Sequence, residues 1–504
     1  MSAKASTKVG KSKYVHKPKP KVVTNIRKAT GTFTSTNDPR VDLFFRTARG
    51  VSEEDLEQLL QASWNKSPID TLRIIFQARD CRGGKGEKLI FHQALKWLNT
   101  VAPETVKKNF ERVPHFGSWK DVTKFIGTDL EGQSLQLLSK QLLADVDLLK
   151  QHGEKAKVSL AGKWAPSENK QNDNESSAAK KLALILCENK LQAKKMYRKN
   201  FLTPLRKQIN ITETLMSSNT WDKINYSTVP SRCMKLQRKA FERHEPALFS
   251  AYLESLKKGE TKVNAKALFP HEIVKEYIAG HELDTILEEQ WKVIENETRK
   301  LGVLEDCLVV SDVSGSMSGT PMQVSVALGI LIATLTRPPF NNIAITFSEN
   351  PQFHFIEGAT LRDKVQNLMR ADWGQATNFN LVFKMILARA QENNLPKEAM
   401  PKKMFVISDM QFDSAESGEK NHKDIELQYE KAGYPMPTII YWNVNGNSDS
   451  IPVNNSTFKN VALISGFSPS ILKAVLDSGD ATKITPAHIL EAAINAPRYA
   501  DLVI

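Results

Sequence analysis

The segment LVVSDVSGSMSG, residues 308–319, has residue types that could bind a divalent cation. An apolar run ends at Asp312, and hydroxyl side chains follow at every second position, Ser314 and Ser316. The two glycines of the segment allow a tight turn, so these oxygens can point to one centre. Mg²⁺ and similar hard ions prefer oxygen ligands and keep several waters when the protein supplies few charges. The segment therefore predicts a cation site.

Two later segments supply further oxygen donors at the same expected place. KKMFVISDM ends a second apolar run at Asp409, and GQATNFN places Thr377 in a loop just before a helix. Ligands of open α/β sheets bind outside the carboxyl ends of the strands, so these side chains should meet Asp312. In the alternative interpretation, the first segment is an ordinary Ser/Gly turn and Asp312 caps a helix. The predicted ligands of a divalent cation, with Mg²⁺ as the expected ion, are Asp312, Ser314, Ser316, Thr377 and Asp409.

These five residues resemble the metal-ion-dependent adhesion site of a von Willebrand factor A domain. The resemblance implies an ion with an open coordination position, which accepts an acidic group from a partner. Two carboxylates and three neutral hydroxyls are a small ligand set, so the ion should retain a water position. Catalysis is not predicted, because His354, His422 and His488 belong to no recognisable constellation. Asp413 is the residue to check first if activity is found.

The pattern of elements changes near residue 303. The segments CLVVSD, NIAITFSE, KKMFVISDM, TIIYWNV and VALISGF alternate with helices, which predicts a Rossmann-like α/β domain with a parallel sheet covered on both faces. Before them, amphipathic helices predict stacked HEAT- or armadillo-like hairpins, with helices starting at Ser52 and Ser67. The predicted division is a disordered basic tail over 1–38, a helical repeat domain over 39–301 with a mobile polar insertion at about 163–178, and the α/β domain over 302–504.

The charge of the chain is unevenly distributed. The net charge is +13, and residues 303–504 carry 16 Lys and Arg against 21 Asp and Glu. The preceding residues carry 53 against 35. A positive domain attracts polyanions such as RNA or anionic lipid, because binding releases counterions. The alternative is a solvated basic surface with no partner.

Three basic segments are candidates for RNA contact. The loop RDCRGGKGEK lacks the Ser or Thr of a Walker motif, and its alternative is a plain turn between helices. In AKKMYRKNFLTPLRK the cations are interleaved with Tyr197 and Phe201, which could stack on bases or belong to the core. A third segment is the helix around Lys235. The candidate RNA-binding residues are Arg79, Arg82, Lys85, Lys88, Lys194, Lys195, Arg198, Lys199, Arg206, Lys207, Lys235, Arg238, Lys239 and Arg243.

The combination of RGGKGE, GSWKDV and a C-terminal von Willebrand A pattern resembles the TROVE-plus-von-Willebrand-A architecture of Ro ribonucleoproteins. The chain is also similar to an uncharacterised related family with a domain of unknown function, through AGKWAPSENK, YRKNFLTPLRK, WDKINYSTVPS and SDMQFD. The resemblance to Ro implies helical repeats that form a ring, with structured RNA on the outer basic surface and single-stranded ends in the hole. The polar insertion departs from the Ro pattern.

Three functions are consistent with these features. The first is a non-enzymatic RNA-binding protein with a metal-dependent docking site for an acidic partner. The second is a protein-interaction scaffold, and the third is a metal-dependent hydrolase. No apolar run approaches the roughly 20 residues that span a bilayer, and the four cysteines are scattered. We therefore expect a cytoplasmic protein, also present in the nucleus if the tail acts as a signal.

Overall fold

The computed structural model describes residues 33–168, 173, 176–346, 351–371, 379–412, 419–476 and 484–504. The predicted tail over residues 1–38 therefore lies mostly outside the described residues. The helices before the first strand are α1 (Pro39–Arg46), α2 (Glu53–Lys66), α3 (Pro68–Arg79), α4 (Lys88–Val101), α5 (Pro103–Asn109), α6 (Val113–Phe116), α7 (Trp119–Thr123), α8 (Glu131–His152), α9 (Ala161–Trp164), α10 (Ala178–Leu186), α11 (Ala193–Tyr197), α12 (Thr203–Ile209), α13 (Thr212–Ser217), α14 (Ser231–His244), α15 (Pro246–Lys257), α16 (Pro270–Ile278) and α17 (Thr285–Arg299). The predicted helical character of this region is confirmed.

Local sequence explains where several of these helices begin. The Ser52 hydroxyl accepts a hydrogen bond from the Asp55 amide at the start of α2. The Ser67 hydroxyl accepts one from the Asp70 amide at the start of α3, where Pro68 takes the first position. Such side chains satisfy amides that have no partner inside the helix. Both predicted helix starts are confirmed, whereas the HEAT-like arrangement stays a prediction.

In the second half, the strands among the described residues form one mixed sheet. Its strands are β1 (Cys307–Ser311), β2 (Ile343–Thr346), β3 (Phe353–Phe355), β4 (Lys403–Ser408), β5 (Thr438–Asn443) and β6 (Val461–Ser465). Their order is β3-β2-β1-β4-β5-β6, the arrangement of a doubly wound sheet. The five predicted strands pair in parallel, but β3 pairs antiparallel with β2. The prediction of a purely parallel sheet is therefore wrong at this edge, where a three-residue strand gives little sequence signal.

Helices cover both faces of the sheet. They are α18 (Thr320–Leu335), α19 (Leu361–Met369), α20 (Phe379–Glu392), α21 (Glu419–Ala432), α22 (Leu472–Leu476) and α23 (Pro486–Ile494). Ser311 of β1 donates a hydrogen bond to the Ser325 carbonyl of α18. Ser311 is aligned, through Ile407 of β4, with Trp442 of β5. Tyr441 is the neighbouring residue, so its side chain points to the opposite face, where its ring centre is 5.6 Å from that of Phe379 in α20.

The helical and α/β parts share contacts at both ends of the described chain. Phe33 and Ile451 exchange backbone hydrogen bonds of 2.9 and 2.7 Å, and α1 packs against β6 and α23. Near the C-terminus, the Asn109 side chain donates to the Val503 carbonyl and accepts from the Val503 amide. These contacts cross the predicted division at residue 302. Among the described residues, no helix has the length and apolar character needed to cross a bilayer.

The beginning of the predicted mobile insertion is held in place. Lys163 and Trp164 belong to α9. The Arg206 guanidinium donates hydrogen bonds to the carbonyls of Gly162 and Ala165 at 3.0 and 2.8 Å. A guanidinium that is distant in the sequence therefore binds the backbone on both sides of Lys163 and Trp164, and the mobility of the insertion stays a prediction. Residues 169–172 and 174–175 lie outside the described part of the chain.

Candidate functional site

The loop after β1 brings the predicted cation ligands together. Asp312 is fully buried at the end of β1, and its Oδ1 accepts a hydrogen bond from the Ser314 amide at 2.9 Å. The hydroxyls of Ser314 and Ser316 are 3.1 Å apart. The loop therefore gathers one carboxylate and two hydroxyls at the carboxyl edge of the sheet, directly before α18.

Asp409 adds a second carboxylate to this cluster from the end of β4. Its side chain is fully buried, and Oδ2 has no hydrogen-bond partner among the described residues. Burial raises the pKa of Asp409, while the Ser316 hydroxyl is among the groups that lower it. A buried carboxylate oxygen without a partner is unfavourable, since it has lost water and gained no donor.

The charge of Asp409 acts on Asp312. Burial, first of all, and the nearby negative charge of Asp409 raise the pKa of Asp312 to about 6, although hydrogen bonds from Ser408 and Ser314 oppose this shift. The Ser408 hydroxyl donates to Oδ2 of Asp312 at 2.6 Å. Sequence reasoning missed Ser408, even though its position directly before Asp409 was a usable signal. Its hydroxyl links the ends of β1 and β4.

The donor set of this cluster is the kind that a hard cation prefers. Asp312, Ser314, Ser316 and Asp409 could supply oxygens to one ion. Thr377, the remaining predicted ligand, and Asp413 lie outside the described residues. Within the described ranges, no group of three or more His, Cys, Asp or Glu side chains could hold a metal ion. Any ion here would therefore depend on hydroxyls as well as carboxylates.

Two predicted RNA contacts are buried and must be corrected. Arg79 is 2% exposed and forms an ion pair of 2.7 Å with Asp121 of α7. Lys85 is 0% exposed, and its ammonium donates to the Thr47 hydroxyl and the Ser465 hydroxyl, both at 2.8 Å. Both side chains connect elements inside the protein, so they cannot reach an RNA phosphate. Arg82 and Lys88 of the same loop are exposed.

In the basic segment over residues 194–207, the cations and aromatic rings have separate roles. Tyr197 and Phe201 are buried, which places these rings in the core. Arg206 is partly buried against backbone carbonyls. The exposed members of the predicted set in this segment are Lys194, Lys195, Arg198, Lys199 and Lys207.

The predicted cations of α14 divide in the same way. Lys235 is buried and forms an ion pair of 2.7 Å with Glu276, so its prediction as an RNA contact is wrong. Arg238 forms an ion pair of 2.5 Å with Asp284 and is also mostly buried. Lys239 and Arg243 are exposed. Helix periodicity alone could not separate these pairs, because the acidic partners come from residues about 40 positions away.

Sequence reasoning missed a group of cations that extends from Lys88, through Lys120, to the ring of Trp164. Burial, and then the positive charges of Arg232, Arg79 and Lys120, lower the pKa of the Lys88 ammonium. The Lys120 and Lys163 ammoniums lie 5.1 and 5.7 Å from the centre of the Trp164 ring. We call Lys88, Lys120, Lys163, Trp164 and Arg232 the basic cluster. Its members come from α4, α7, α9 and α14.

Carboxylates offset only part of this charge. Arg232 is 3.0 Å from Glu272, and Lys163 is 3.5 Å from Glu213. Lys88 and Lys120 form no ion pair with any residue that the structure describes. Burial, followed by Arg49, Lys275, Arg232 and Lys235, also lowers the pKa of His271 to about 3. The cluster therefore lies in a region of positive potential.

The fold and these two sites define a class of protein: a helical region with a basic surface, joined to a doubly wound α/β part with carboxylates and hydroxyls at its strand ends. Residues 27–137 and 134–304 match the family model described as a domain of unknown function, DUF2828. Residues 306–494 match a second domain of unknown function, DUF7788. The chain belongs to the DUF2828 family, so the predicted membership of a family with a domain of unknown function is confirmed.

Two similar proteins illustrate the range of this likeness. An uncharacterized protein of Acanthamoeba polyphaga mimivirus is 31% identical over an alignment 511 positions long, which covers 93% of this chain and 87% of that protein. The crystal structure of the Deinococcus radiodurans RO (RSR) protein is 15% identical, with a TM-score of 0.43, over 91% of this chain and 99% of that one. At this similarity, no property of the RO protein can be transferred to this chain.

Proposed function

We propose that this protein binds RNA through its helical part and holds a divalent cation at the strand ends of its α/β part. It acts as a binding protein and not as an enzyme. The observation that supports RNA binding is the basic cluster, in which Lys88 and Lys120 form no ion pair with any described residue. Burial, and then the positive charges of Arg232, Arg79 and Lys120, lower the pKa of Lys88. Holding like charges together costs free energy, and a polyanion would offset that cost.

The basic cluster suits phosphates better than it suits acidic side chains scattered over a protein surface. Lys239 and Arg243 on α14 are also exposed, as are Lys194, Lys195, Arg198 and Lys199, so exposed cations are present beyond the cluster. Cationic groups spread over several helices follow a polyanion backbone without reading its sequence. We therefore expect affinity that depends strongly on salt and weakly on RNA sequence.

Fluorescence anisotropy with structured and single-stranded RNA tests this proposal. The wild-type protein should bind at about 50 mM salt, and affinity should fall steeply as salt rises. The triple substitution Lys88→Gln, Lys120→Gln and Arg232→Gln should reduce the salt dependence by about one unit of slope for each lost phosphate contact. Lys257→Gln, Lys300→Gln and Arg389→Gln form a matched control on other surfaces. Absence of binding at low salt would favour the protein-interaction scaffold.

The buried Oδ2 of Asp409 supports the cation site. A divalent ion between Asp312, Asp409 and the two serine hydroxyls would give this oxygen a partner and neutralise both carboxylates. When bound, the ion would supply a Lewis-acidic position that accepts an acidic group from a partner. The residues of this chain position the oxygens, and Ser408 orients Asp312 through its hydrogen bond.

Calorimetric titration with Mg²⁺ tests the cation site separately from RNA binding. Asp312→Ala should abolish Mg²⁺ binding and leave RNA affinity within about twofold, because electrostatic RNA binding depends on the cations of the helical part. A large RNA defect in the folded variant would contradict this division of roles. Cation-dependent turnover of RNA or nucleotides that disappears in the same variant would favour the hydrolase.

A further inference from the structure

A cavity of about 250 Å³ lies between the end of α9 and the segment from α11 to α12. Its wall includes Ser167, Arg198, Thr203 and Arg206, and a π-helical turn over Arg198–Leu202 forms part of it. Pockets for drug-sized ligands occupy about 300–1,000 Å³, so this cavity suits a smaller group.

Two guanidiniums, those of Arg198 and Arg206, line the cavity. Arg206 forms no ion pair with any carboxylate in the described ranges, although burial is sufficient to lower its pKa. Glu168 also lines the cavity, but it is 3.1 Å from Lys194, which neutralises it. Arg198 is exposed at the same wall. A desolvated cation without a counter-charge is unfavourable, and an anion in the cavity would remove that penalty.

The hydrogen bonds of Arg206 to described residues leave two of its N–H groups without a partner among those residues. Nε donates to the Gly162 carbonyl at 3.0 Å, Nη1 to the Ser167 hydroxyl at 2.8 Å, and Nη2 to the Ala165 carbonyl at 2.8 Å. A guanidinium has five N–H groups, so one remains on each terminal nitrogen. These two donors are the number that a bidentate contact with an oxyanion uses. The three bonds also fix the plane of the guanidinium.

We propose that this cavity binds a phosphate group, held by the remaining N–H groups of Arg206, by Arg198, and by the hydroxyl of Thr203. Two guanidiniums and a hydroxyl match the charge and the several acceptor oxygens of a phosphate. The group can come from a free phosphate or mononucleotide, or from the terminus of an RNA. Only the second source rests on the proposed function.

Calorimetric titration of the full chain with inorganic phosphate, at constant ionic strength, tests the site. The wild-type protein should show saturable binding with a stoichiometry near one. Arg198→Gln should weaken it at least tenfold, because it removes one of two cations. Arg206→Lys keeps the charge but loses the planar fork, and should weaken binding by a similar factor. Arg389→Gln, an exposed arginine of α20, is the matched control and should bind like the wild type.

Thermal unfolding of each variant separates binding from folding. Arg206 donates hydrogen bonds to three partners, so Arg206→Lys can lower stability. In that case Arg198→Gln is the decisive variant for phosphate binding, because the exposed Arg198 side chain forms no hydrogen bond or ion pair in the described part of the chain. Equal phosphate binding by Arg198→Gln and the wild type would overturn the proposal. Acetate that competes as well as phosphate would also overturn it.

Oligonucleotides distinguish the two sources. If the terminal phosphate of an RNA enters the cavity, Arg198→Gln should reduce the affinity for an RNA with a 5′-phosphate more than the affinity for the same RNA with a 5′-hydroxyl. Equal reductions for the two RNAs, with binding of free phosphate by the wild type intact, assign the site to free phosphates or mononucleotides. Phosphate binding without RNA binding would support the cavity and contradict the proposed function. RNA binding without phosphate binding would support the proposed function and contradict the phosphate site in the cavity.

Discussion

At the scale of single residues, Asp312 and Asp409 form a buried pair of like charges. Burial and then the charge of Asp409 raise the pKa of Asp312, and Oδ2 of Asp409 lacks a hydrogen-bond donor among the described residues. Without a cation, this pair destabilises the folded state. A bound cation would reverse the sign of that contribution.

Asp409→Asn should therefore have opposite effects on the stability of the folded protein in the absence and in the presence of a cation. In EDTA the variant should be more stable than the wild type by about 1 kcal/mol, since one buried charge is removed. In Mg²⁺ it should be less stable, because it loses the stabilisation by the ion. Thermal unfolding in both buffers measures the difference. Asp424→Asn on exposed α21 is the control, and a loss of stability in both buffers would contradict the prediction.

A buried histidine makes stability depend on pH. His271 lies between Phe269 and Phe467, and burial together with nearby cations lowers its pKa to about 3. The unfolded chain takes up a proton near the ordinary imidazole pKa of 6.5, whereas the folded chain does not until the pH is far lower. Stability should therefore fall as the pH decreases from 6.5 towards 3, by at most about 1.4 kcal/mol per pH unit from this residue.

His271→Phe should remove this part of the pH dependence while it keeps a ring between Phe269 and Phe467. Urea unfolding at about pH 7 and at about pH 5 measures the free energy of unfolding at each pH, and the difference gives the slope. The exposed His152→Gln is the control and should keep the wild-type slope. Equal slopes for His271→Phe and the wild type would show that other groups cause the acid sensitivity.

At the scale of elements, the contact between α18 and β1 positions the loop that carries Ser314 and Ser316. A Cβ atom at Gly329 would lie 2.2 Å from the Ser311 hydroxyl oxygen. The helix can approach the sheet this closely only because Gly329 has no side chain. The loop between the two elements is thereby held at the strand end.

Gly329→Ala should destabilise the protein by about 1–3 kcal/mol, because the added methyl group overlaps Ser311. Ser311→Ala removes the oxygen, so the double variant should recover most of the loss, a strongly non-additive result. Gly132→Ala in α8 is the matched control, since no atom lies within 4 Å of a Cβ there. It should raise stability by up to about 1 kcal/mol through helix propensity. Urea unfolding measures all four proteins, and additive effects would contradict the proposed overlap.

At the scale of the whole molecule, the two parts depend on each other. Phe33 pairs with Ile451, α1 covers β6, and the buried Lys85 joins Thr47 to Ser465 at the end of β6. Near the C-terminus, the Tyr499 hydroxyl donates a hydrogen bond of 2.9 Å to Asp80, which directly follows α3. The hydrophobic core is continuous through both parts.

A fragment over residues 303–504 should therefore fold poorly without the helical part. It exposes the face of β6 and α23 that α1 covers, and burial of apolar surface is the main stabilising contribution. Circular dichroism and thermal unfolding should show a broad or low-temperature transition in comparison with residues 33–504. A cooperative transition at the same temperature as the longer chain would establish an independent domain.

The sequence by itself determined the local features. Apolar runs of the right length predicted five strands, Ser52 and Ser67 marked helix starts, and the alternation of elements indicated an α/β sheet with Asp312 and Asp409 at its carboxyl edge. These features depend on neighbours along the chain, so they can be read from one segment at a time. The three-residue strand β3 was missed because it is too short to carry such a pattern.

Only the tertiary structure decided which cations are available. Local sequence does not distinguish the buried cations Arg79, Lys85 and Lys235 from the exposed ones. Their partners come from elsewhere in the chain and are Asp121, Ser465 and Glu276 respectively. The basic cluster and the Arg206 cavity likewise combine residues from separate helices. A periodic pattern shows which side of an element is apolar, whereas the packing of distant elements determines which charges are paired, buried or left for a ligand.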